Sequence, residues 1–331
     1  MIGYYVHHHG RGHLHRALSV ARELDGCVVG LSTLERPLEW TGAWIDLPDD
    51  AAGEDPVDPT AGGALHWVPE RHPGLRERMG EISRWIIDVE PDLLVVDVSV
   101  EVALLARLHG VPVVVMAQPG DRRDAPHDLG YGIADRVVAP WPADARGMLT
   151  SGVLDESAVS AVGAFSRFDG RPVTASGSGG GRRVVVLHGA GGTDLSGGRL
   201  EAAMARTPGW TWTVLGEGGV WVDDPWDELC RADVVVTHAG QNALAEVAAA
   251  RRPALVVPQS RPYDEQRTTA AVLDRRPDLP VVVREELPDD DLEVVLDKAS
   301  HLDGEGWAGW NDAGGAARVA AVLRDLEAGR G

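Results

Sequence analysis

The 331-residue sequence predicts an α/β protein made of two Rossmann-like, doubly wound domains facing a cleft. Three observations lead there. Short β-branched apolar runs recur, each followed by a glycine turn and then a stretch with helical spacing, as in parallel sheets buried on both faces. The same strand–glycine turn–helix opening occurs twice, after residue 6 and again after residue 187. Between the two halves lies a segment rich in Gly, Ser and Pro, including Ser176-Gly177-Ser178-Gly179-Gly180-Gly181, whose composition cannot bury a core. The chain is also longer than one ordinary core requires, whereas two domains of roughly 150 residues can each bury most of their surface. The reading divides it into an N-terminal domain over residues 1–166, a linker over 167–181, a C-terminal domain over 182–312 and a final helical segment over 313–331.

Residues 2–6 form the first expected strand, and Leu14, Ala17, Leu18, Ala21 and Leu24 mark one face of the helix after it. Between them stands His7-His8-His9-Gly10-Arg11-Gly12-His13-Leu14-His15-Arg16. Gly10 and Gly12 fit the start of a dinucleotide fingerprint, but His15 occupies the position of its third glycine, which argues against a nicotinamide enzyme. The triplet His7-His8-His9 is not read as a metal cluster. Strand alternation would send successive residues to opposite faces, and no Cys or carboxylate stands nearby in the sequence to complete the set.

Residues 28–31 and 44–47 are two more expected strands. Residues 48–67 form an acidic, Pro- and Gly-rich loop of a length that usually carries function, with Trp40 and Trp67 readable either as an apolar surface for a substrate or as core. Met79, Ile82, Ile86 and Val89 space a helix over residues 75–89 that Pro91 ends. The run 92–97 is a buried strand closing on Asp97, at the carboxyl end where ligands collect in doubly wound sheets. Asp97 is equally readable as the N-cap of the following helix, which runs to Leu108. Further strands are expected up to Ala117 and over residues 136–139 and 159–162.

In the second half, a strand over 183–187 leads into His188-Gly189-Ala190-Gly191-Gly192-Thr193-Asp194, a loop suited to meeting phosphate through main-chain N–H groups. A strand over 212–215 and a helix over 227–232 follow. Residues 233–266 carry the strongest pattern. Gly240 breaks a β-branched strand at 234–236, and an Ala-rich helix begins near Gln241. The first N–H groups of that helix lack intrahelical partners and bear the positive end of its dipole, so His238-Ala239-Gly240 is a ready phosphate site. Glu246 lies about one and a half turns further in, within reach of the rest of a nucleotide. A strand over 281–284 closes the sheet. Asp289-Asp290-Asp291 reads as the acidic start of a helix rather than a metal triplet.

The pattern His238-x-Gly240-x-Asn242-x-x-x-Glu246, with Pro253, Pro258, Glu265-Gln266 and Ala270 beyond it, resembles the donor signature of nucleotide-sugar glycosyltransferases with the two-domain GT-B fold, notably bacterial natural-product enzymes and the MurG peptidoglycan transferases. The resemblance implies that His238, Ala239, Gly240 and the helix start hold a diphosphate, with Asn242 beside it. It implies that Glu246 accepts from ribose hydroxyls and that Glu265 and Gln266 hold hydroxyls of the transferred sugar. Gly191 and Gly192 would approach the diphosphate, and the main chain at Val222 would meet the base. The 258–265 loop is closer to MurG length than to that of macrolide-type relatives.

Gly10-x-Gly12-His13-x-x-Arg16 is similar to the first loop of the same superfamily, where a His is the general base and an acid at the position of Asp97 partners it. Gly10, Gly12 and Arg16 then support the loop. Histidine suits the task because its unperturbed pKa of about 6.5 leaves it able to accept a proton near neutral pH. The implied activity is metal-independent, inverting transfer of a hexosyl group from a UDP- or dTDP-sugar to a hydroxyl of a small-molecule, natural-product type acceptor, with no cofactor. A nucleotide-sugar hydrolase or epimerase on the same scaffold, and a non-catalytic nucleotide-sugar-binding protein, are the alternatives. The fold also implies that the final helix packs back on the N-terminal domain.

A net charge of −20 and a pI near 4.9 argue against broad binding to nucleic acid or to anionic membranes. No apolar run approaches the roughly 18 residues of a membrane span, and the N-terminus lacks a basic leader. The expectation is a soluble cytoplasmic protein, monomer or homodimer. Cys27 and Cys230 fall in segments expected to be buried, and no disulfide is expected.

Overall fold

In the computed structural model, which describes residues 1–51, 56–173, 182–189, 192, 193, 195 and 197–329, the apolar runs pair into all-parallel sheets. Residues 174–181 of the expected linker and Gly191 lie outside the described residues. Two compact units emerge. Unit 1 comprises Met1–Pro140, Leu149–Val162 and Ala316–Gly331, and unit 2 comprises Trp141–Met148 and Gly163–Gly315. Residues 141–148, although embedded in the N-terminal half of the chain, make their ties within unit 2, where Asp144 pairs with Arg276 at 3.0 Å and the Arg146 carbonyl accepts from Arg275.

Unit 1 runs β1 (Ile2–Val6), α1 (Gly12–Glu23), β2 (Val28–Ser32), β3 (Trp44–Asp46), α2 (Pro73–Val89), β4 (Leu93–Asp97), α3 (Val100–Leu108), β5 (Val113–Met116), β6 (Gly120–Arg122), α4 (Ala125–Ile133), β7 (Arg136–Ala139), β8 (Leu149–Ser151) and β9 (Ser160–Ala161). Its main sheet has the order β3-β2-β1-β4-β5-β7-β9, and β6 pairs separately with β8. Strands β1, β2, β4 and β5 are buried along their whole length. They therefore need apolar residues on both faces, which is why they read as continuous rather than alternating runs.

Helix boundaries follow local chemistry. Pro73 opens α2 behind His72, whose Nδ1 accepts from Leu75 N–H, and Glu90 closes it in the left-handed region at φ 48°. The N-cap of α3 is Ser99, whose Oγ accepts from Val102 N–H at 3.2 Å. Asp97 is thus not the cap, contrary to one of its two sequence readings. Ser99→Ala is expected to cost about 1 kcal/mol of stability, readable as a lower urea midpoint with an unchanged slope.

One expectation about a single residue is corrected, and one reading left open is resolved. Cys27 is exposed, because it lies in the turn between α1 and β2 rather than in the strand. Trp40 is core, 2% exposed, edge-on to Trp44 at 5.0 Å with its Nε1 donating to the Ala43 carbonyl, so it offers no surface to a substrate.

Unit 2 runs β10 (Arg182–Leu187), α5 (Gly197–Arg206), β11 (Trp210–Leu215), α6 (Trp226–Arg231), β12 (Val234–Thr237), α7 (Gln241–Ala249), β13 (Ala254–Val256), α8 (Glu265–Asp274), β14 (Val281–Val283) and α9 (Leu292–Ser300). Its sheet order is β11-β10-β12-β13-β14. A last helix, α10 (Gly315–Ala328), has Arg318 donating to the Val162 carbonyl at 2.7 Å and Arg324 donating to the Glu23 carbonyl, both acceptors in unit 1.

The strand orders fix where ligands can collect. In unit 1 the chain leaves β1 to one side for β2 and later returns to its other side as β4, so the switch point lies between β1 and β4. Val6 pairs with Asp97 there, at the carboxyl ends of both strands. In unit 2 the switch point lies between β10 and β12, and Leu187 pairs with Thr237 at its rim. Among the described residues, no helix is long and apolar enough to cross a membrane.

Candidate active site

The unit 1 site is built at the first of these switch points. Gly10 turns the chain after β1 at φ +77°, a left-handed conformation that costs glycine little, and Gly12 is the first residue of α1. The first turn of α1 then carries His13 and Arg16 toward the end of β4. His13 Nδ1 lies 3.0 Å from Asp97 Oδ1, and Arg16 Nη1 donates to the same oxygen at 3.0 Å. Asp97 is fully buried and Arg16 nearly so, while His13 keeps about a fifth of its side chain exposed.

Burial pushes the Asp97 carboxyl up, but Arg16 and His13 outweigh it and hold the group below the usual carboxylate range. An ionised carboxylate only accepts, so His13 carries a proton on Nδ1, and Nε2 is the acceptor of the neutral ring. Val98, immediately after Asp97, sits at φ +64°. A β-branched residue there is strained, which marks this turn as one held by its surroundings. The buried Tyr4 ring also lies here, its phenol raised well above its ordinary value by burial and then by Asp97.

The His7-His8-His9 reading needs correction. The strand ends at Val6, so alternation no longer applies, and the rings of His7 and His8 stack 8° apart with centroids 4.9 Å apart. Carboxylates do stand nearby: the loop after β3 brings Asp50 Oδ1 to 3.8 Å from His8 Nε2, with Asp49 in the same cluster. Arg78 already pairs with Asp50 at 3.0 Å, which sets a cation beside that cluster. Burial, and then the imidazoles of His13, His8 and His9, push His7 down to about 3, so it is neutral near pH 7.

A second group able to hold a cation joins His66, Asp124 and His127. His127 Nδ1 lies 2.6 Å from Asp124 Oδ2, and Arg122 Nη1 lies 3.3 Å from His127 Nε2. Arginine only donates, so Nε2 accepts and Nδ1 holds the proton, which is the tautomer of a hydrogen-bonded chain rather than of a metal ligand at Nδ1. Trp67 packs near this region, half-buried, with its backbone N–H and that of His66 donating to Glu101 Oε1.

The unit 2 site lies at the second switch point. His238 follows β12 and is buried. Its Nδ1 lies 2.8 Å from the Val257 carbonyl, and its Nε2 lies 3.0 Å from Thr193 Oγ1. Ala239 is buried behind it, and Gly240 is the N-cap of α7, so the cap brings no side chain of its own to the first-turn amides. Asn242 lies half-buried in that first turn. Gly192 is at φ +91°, and its carbonyl accepts from Arg261 at 3.0 Å.

Glu246 is on the buried face of α7, and its Oε1 accepts from Arg167 Nε at 2.8 Å. Burial raises its carboxyl and Arg167 only partly offsets the rise, leaving it above its ordinary value. Gln266 is buried, and its Oε1 accepts from Gln259 N–H at 2.9 Å. Its Nε2 is the nearest group to the Cβ position of Gly240, so the amide faces the head of α7. Glu265 is half-buried beside it, after Tyr263 and Asp264, two successive residues with left-handed φ of 61° and 52°. Val222 is exposed in the segment after β11, together with Val220 and Trp221.

Arg16 was expected only to support its loop, yet it is a buried partner of Asp97. Arg167 escaped sequence reasoning, while His188 and Thr193 were read only as part of their glycine loop. His188 follows β10 as His238 follows β12, and the matching position of a histidine after both central strands was the signal available.

Comparison with known proteins agrees with this architecture. Residues 224–302 match the glycosyltransferase family 28 C-terminal domain. No curated protein sequence matches the chain. Among solved structures, the glycotransferase of kitacinnamycin is similar over 98% of each chain, with a TM-score of 0.72 at 18% identity. MurG of Acinetobacter baumannii is similar over 98% of this chain and 99% of its own, with a TM-score of 0.66 at 15% identity. The spinosyn rhamnosyltransferase SpnG, solved with thymidine diphosphate, is similar over 99% of this chain and 100% of its own, with a TM-score of 0.61 at 16% identity. Residues 224–302 thus carry a glycosyltransferase family 28 C-terminal domain, and the fold along the full length is the GT-B fold that these glycosyltransferases share.

Proposed function

We propose that the protein transfers a hexosyl group from a UDP- or dTDP-sugar to a hydroxyl of a small-molecule acceptor, with inversion and without a metal. The observation that carries this reading is the head of α7 at the unit 2 switch point, where the N-cap is Gly240, no side chain caps the helix, and His238 and Asn242 stand two residues to either side. The leaving charge would meet those amides and Arg261 beside Gly192, donors already oriented before the bond breaks. Glu246 would take ribose hydroxyls, with Arg167 fixing the orientation of its carboxylate. Glu265 and Gln266, beside Gly240, would hold hydroxyls of the sugar. Gly191 would add its amide to the diphosphate, and main-chain groups at Val222 would meet the base. That SpnG was solved with thymidine diphosphate supports a nucleoside diphosphate as the probe to try first.

In unit 1, His13 would act as general base on the acceptor hydroxyl through Nε2, with Asp97 stabilising the imidazolium that forms. A natural-product acceptor is the class that the similar proteins favour, kitacinnamycin and spinosyn enzymes among them. The donor half is tested by replacing Glu246. Glu246→Ala is expected to weaken UDP binding about ten- to a hundredfold, the worth of hydrogen bonds to a charged group, while affinity for inorganic pyrophosphate stays unchanged. Calorimetric titration reads both, and equal UDP affinity in the two proteins would remove Glu246 from the ribose.

A further inference from the structure

The register Leu187 to Thr237 sets the residues that follow, His188 and His238, side by side, with their rings 10° apart and centroids 5.4 Å apart. His188 Nδ1 lies 2.7 Å from the Glu217 carbonyl, and His238 Nδ1 lies 2.8 Å from the Val257 carbonyl. Carbonyls only accept, so both Nδ1 atoms carry protons. Each ring then presents Nε2 to one shared atom, Thr193 Oγ1, at 3.3 Å from His188 and 3.0 Å from His238. That oxygen also accepts from Leu195 N–H at 3.1 Å.

A threonine hydroxyl has one proton to give and two lone pairs. It can donate to only one of the two Nε2 atoms. Its contact with the other is a hydrogen bond only when that ring holds a proton on Nε2 as well. All the contacts around Thr193 are therefore hydrogen bonds together in one charge state: one ring is an imidazolium donating to Oγ1, and the hydroxyl donates to the other, neutral ring. Rotation of the hydroxyl exchanges the two roles. A second proton would set two cations face to face and would leave the hydroxyl facing donors on both sides.

We infer that His188, Thr193 and His238 form a relay holding one proton across two imidazoles, and that this proton is the cation with which the diphosphate of the donor is paired at the head of α7. The inference rests on the donor reading given above and adds His188 and Thr193 to it. Among the described residues, the charged groups of Glu217 and Arg261 both border Gly192, the neighbour of Thr193. Arg261 disfavours the extra proton, while Glu217 and an incoming diphosphate favour it. Anion binding and protonation are then linked, and affinity should fall as pH rises past the point where the free relay loses its proton, by up to about tenfold per pH unit.

Two measurements on the full chain test this. The first is a 15N-histidine NMR titration without ligand, in which the Nε2 signals of His188 and His238 are expected to move together in one step that accounts for a single proton. Two independent steps, or no step for either ring, would overturn the relay. The second is calorimetric binding of UDP-glucose and dTDP-glucose, whose diphosphate diesters do not titrate near neutrality, between about pH 6 and 9 in buffers of different ionisation enthalpy. The wild type is expected to take up a proton on binding and to lose at least about tenfold in affinity across that range. His188→Gln and Thr193→Val should flatten the profile, and Thr193→Ser should retain it. Proton uptake undiminished in His188→Gln and Thr193→Val, or absent in the wild type, would sink the link while leaving the donor reading intact. Rings that titrate as one step in a chain that binds neither nucleotide sugar at any pH would instead sink the donor reading and the link with it.

Discussion

His13→Ala is expected to lower turnover by about 10²- to 10⁴-fold, the usual worth of a general base, with the affinity for UDP or dTDP unchanged. The separation follows from the fold: His13 belongs to unit 1, and the residues proposed to hold the nucleotide belong to unit 2. A loss of activity accompanied by equal loss of nucleotide affinity would mean that the imidazole contributes to donor binding instead. Steady-state kinetics and calorimetry on the same preparation separate the two. If the variant consumed donor without acceptor at the wild-type rate, the reaction would be hydrolysis and the acceptor-side role would fail.

Asp97→Asn is expected to act on both activity and stability. Its Oδ1 receives both His13 Nδ1 and the buried Arg16, so loss of the charge leaves a guanidinium without its counter-ion and an imidazole without the anion that orients it. The expected costs are about 3 kcal/mol of stability and on the order of 10²- to 10⁴-fold in turnover. The pH dependence gives a second check. Asp97 binds its proton less tightly folded than unfolded, because Arg16 and His13 outweigh burial. Its contribution is therefore complete above the unfolded value of about 3.9 and is lost as pH falls toward the folded value. The deficit of Asp97→Asn should be largest near neutral pH and shrink in acid, as read by urea unfolding at several pH values. A deficit independent of pH would point to packing rather than charge.

Much of this was legible in the residues. The apolar runs that became β1, β4, β5 and β12 are buried on both faces, as is β10 beyond its two exposed arginines, and a run with no polar alternation admits little else. The head of α7 was readable for the same reason, since Gly240 separates such a run from an Ala-rich helix. What escaped depended on distance. The pair β6 and β8 has almost no apolar signature and forms through a contact between residues 120–122 and 149–151. Arg167 stands at the start of a stretch read as linker, and nothing local indicates that it reaches Glu246, 79 positions away. The cluster around His8 likewise draws Asp49 and Asp50 from a loop more than forty residues on. Helix α4 did offer a signal, Asp124 before Ala125-Pro126, an N-cap followed by proline in the first turn.

The most direct test of the account is a crystal structure of the protein grown with UDP or dTDP. The pyrophosphate should lie within hydrogen-bond distance of the amides at the start of α7 and of the His238 ring, with Glu246 on the ribose. A nucleotide bound away from β12 and α7, or a helix head filled by the chain's own side chains, would contradict it.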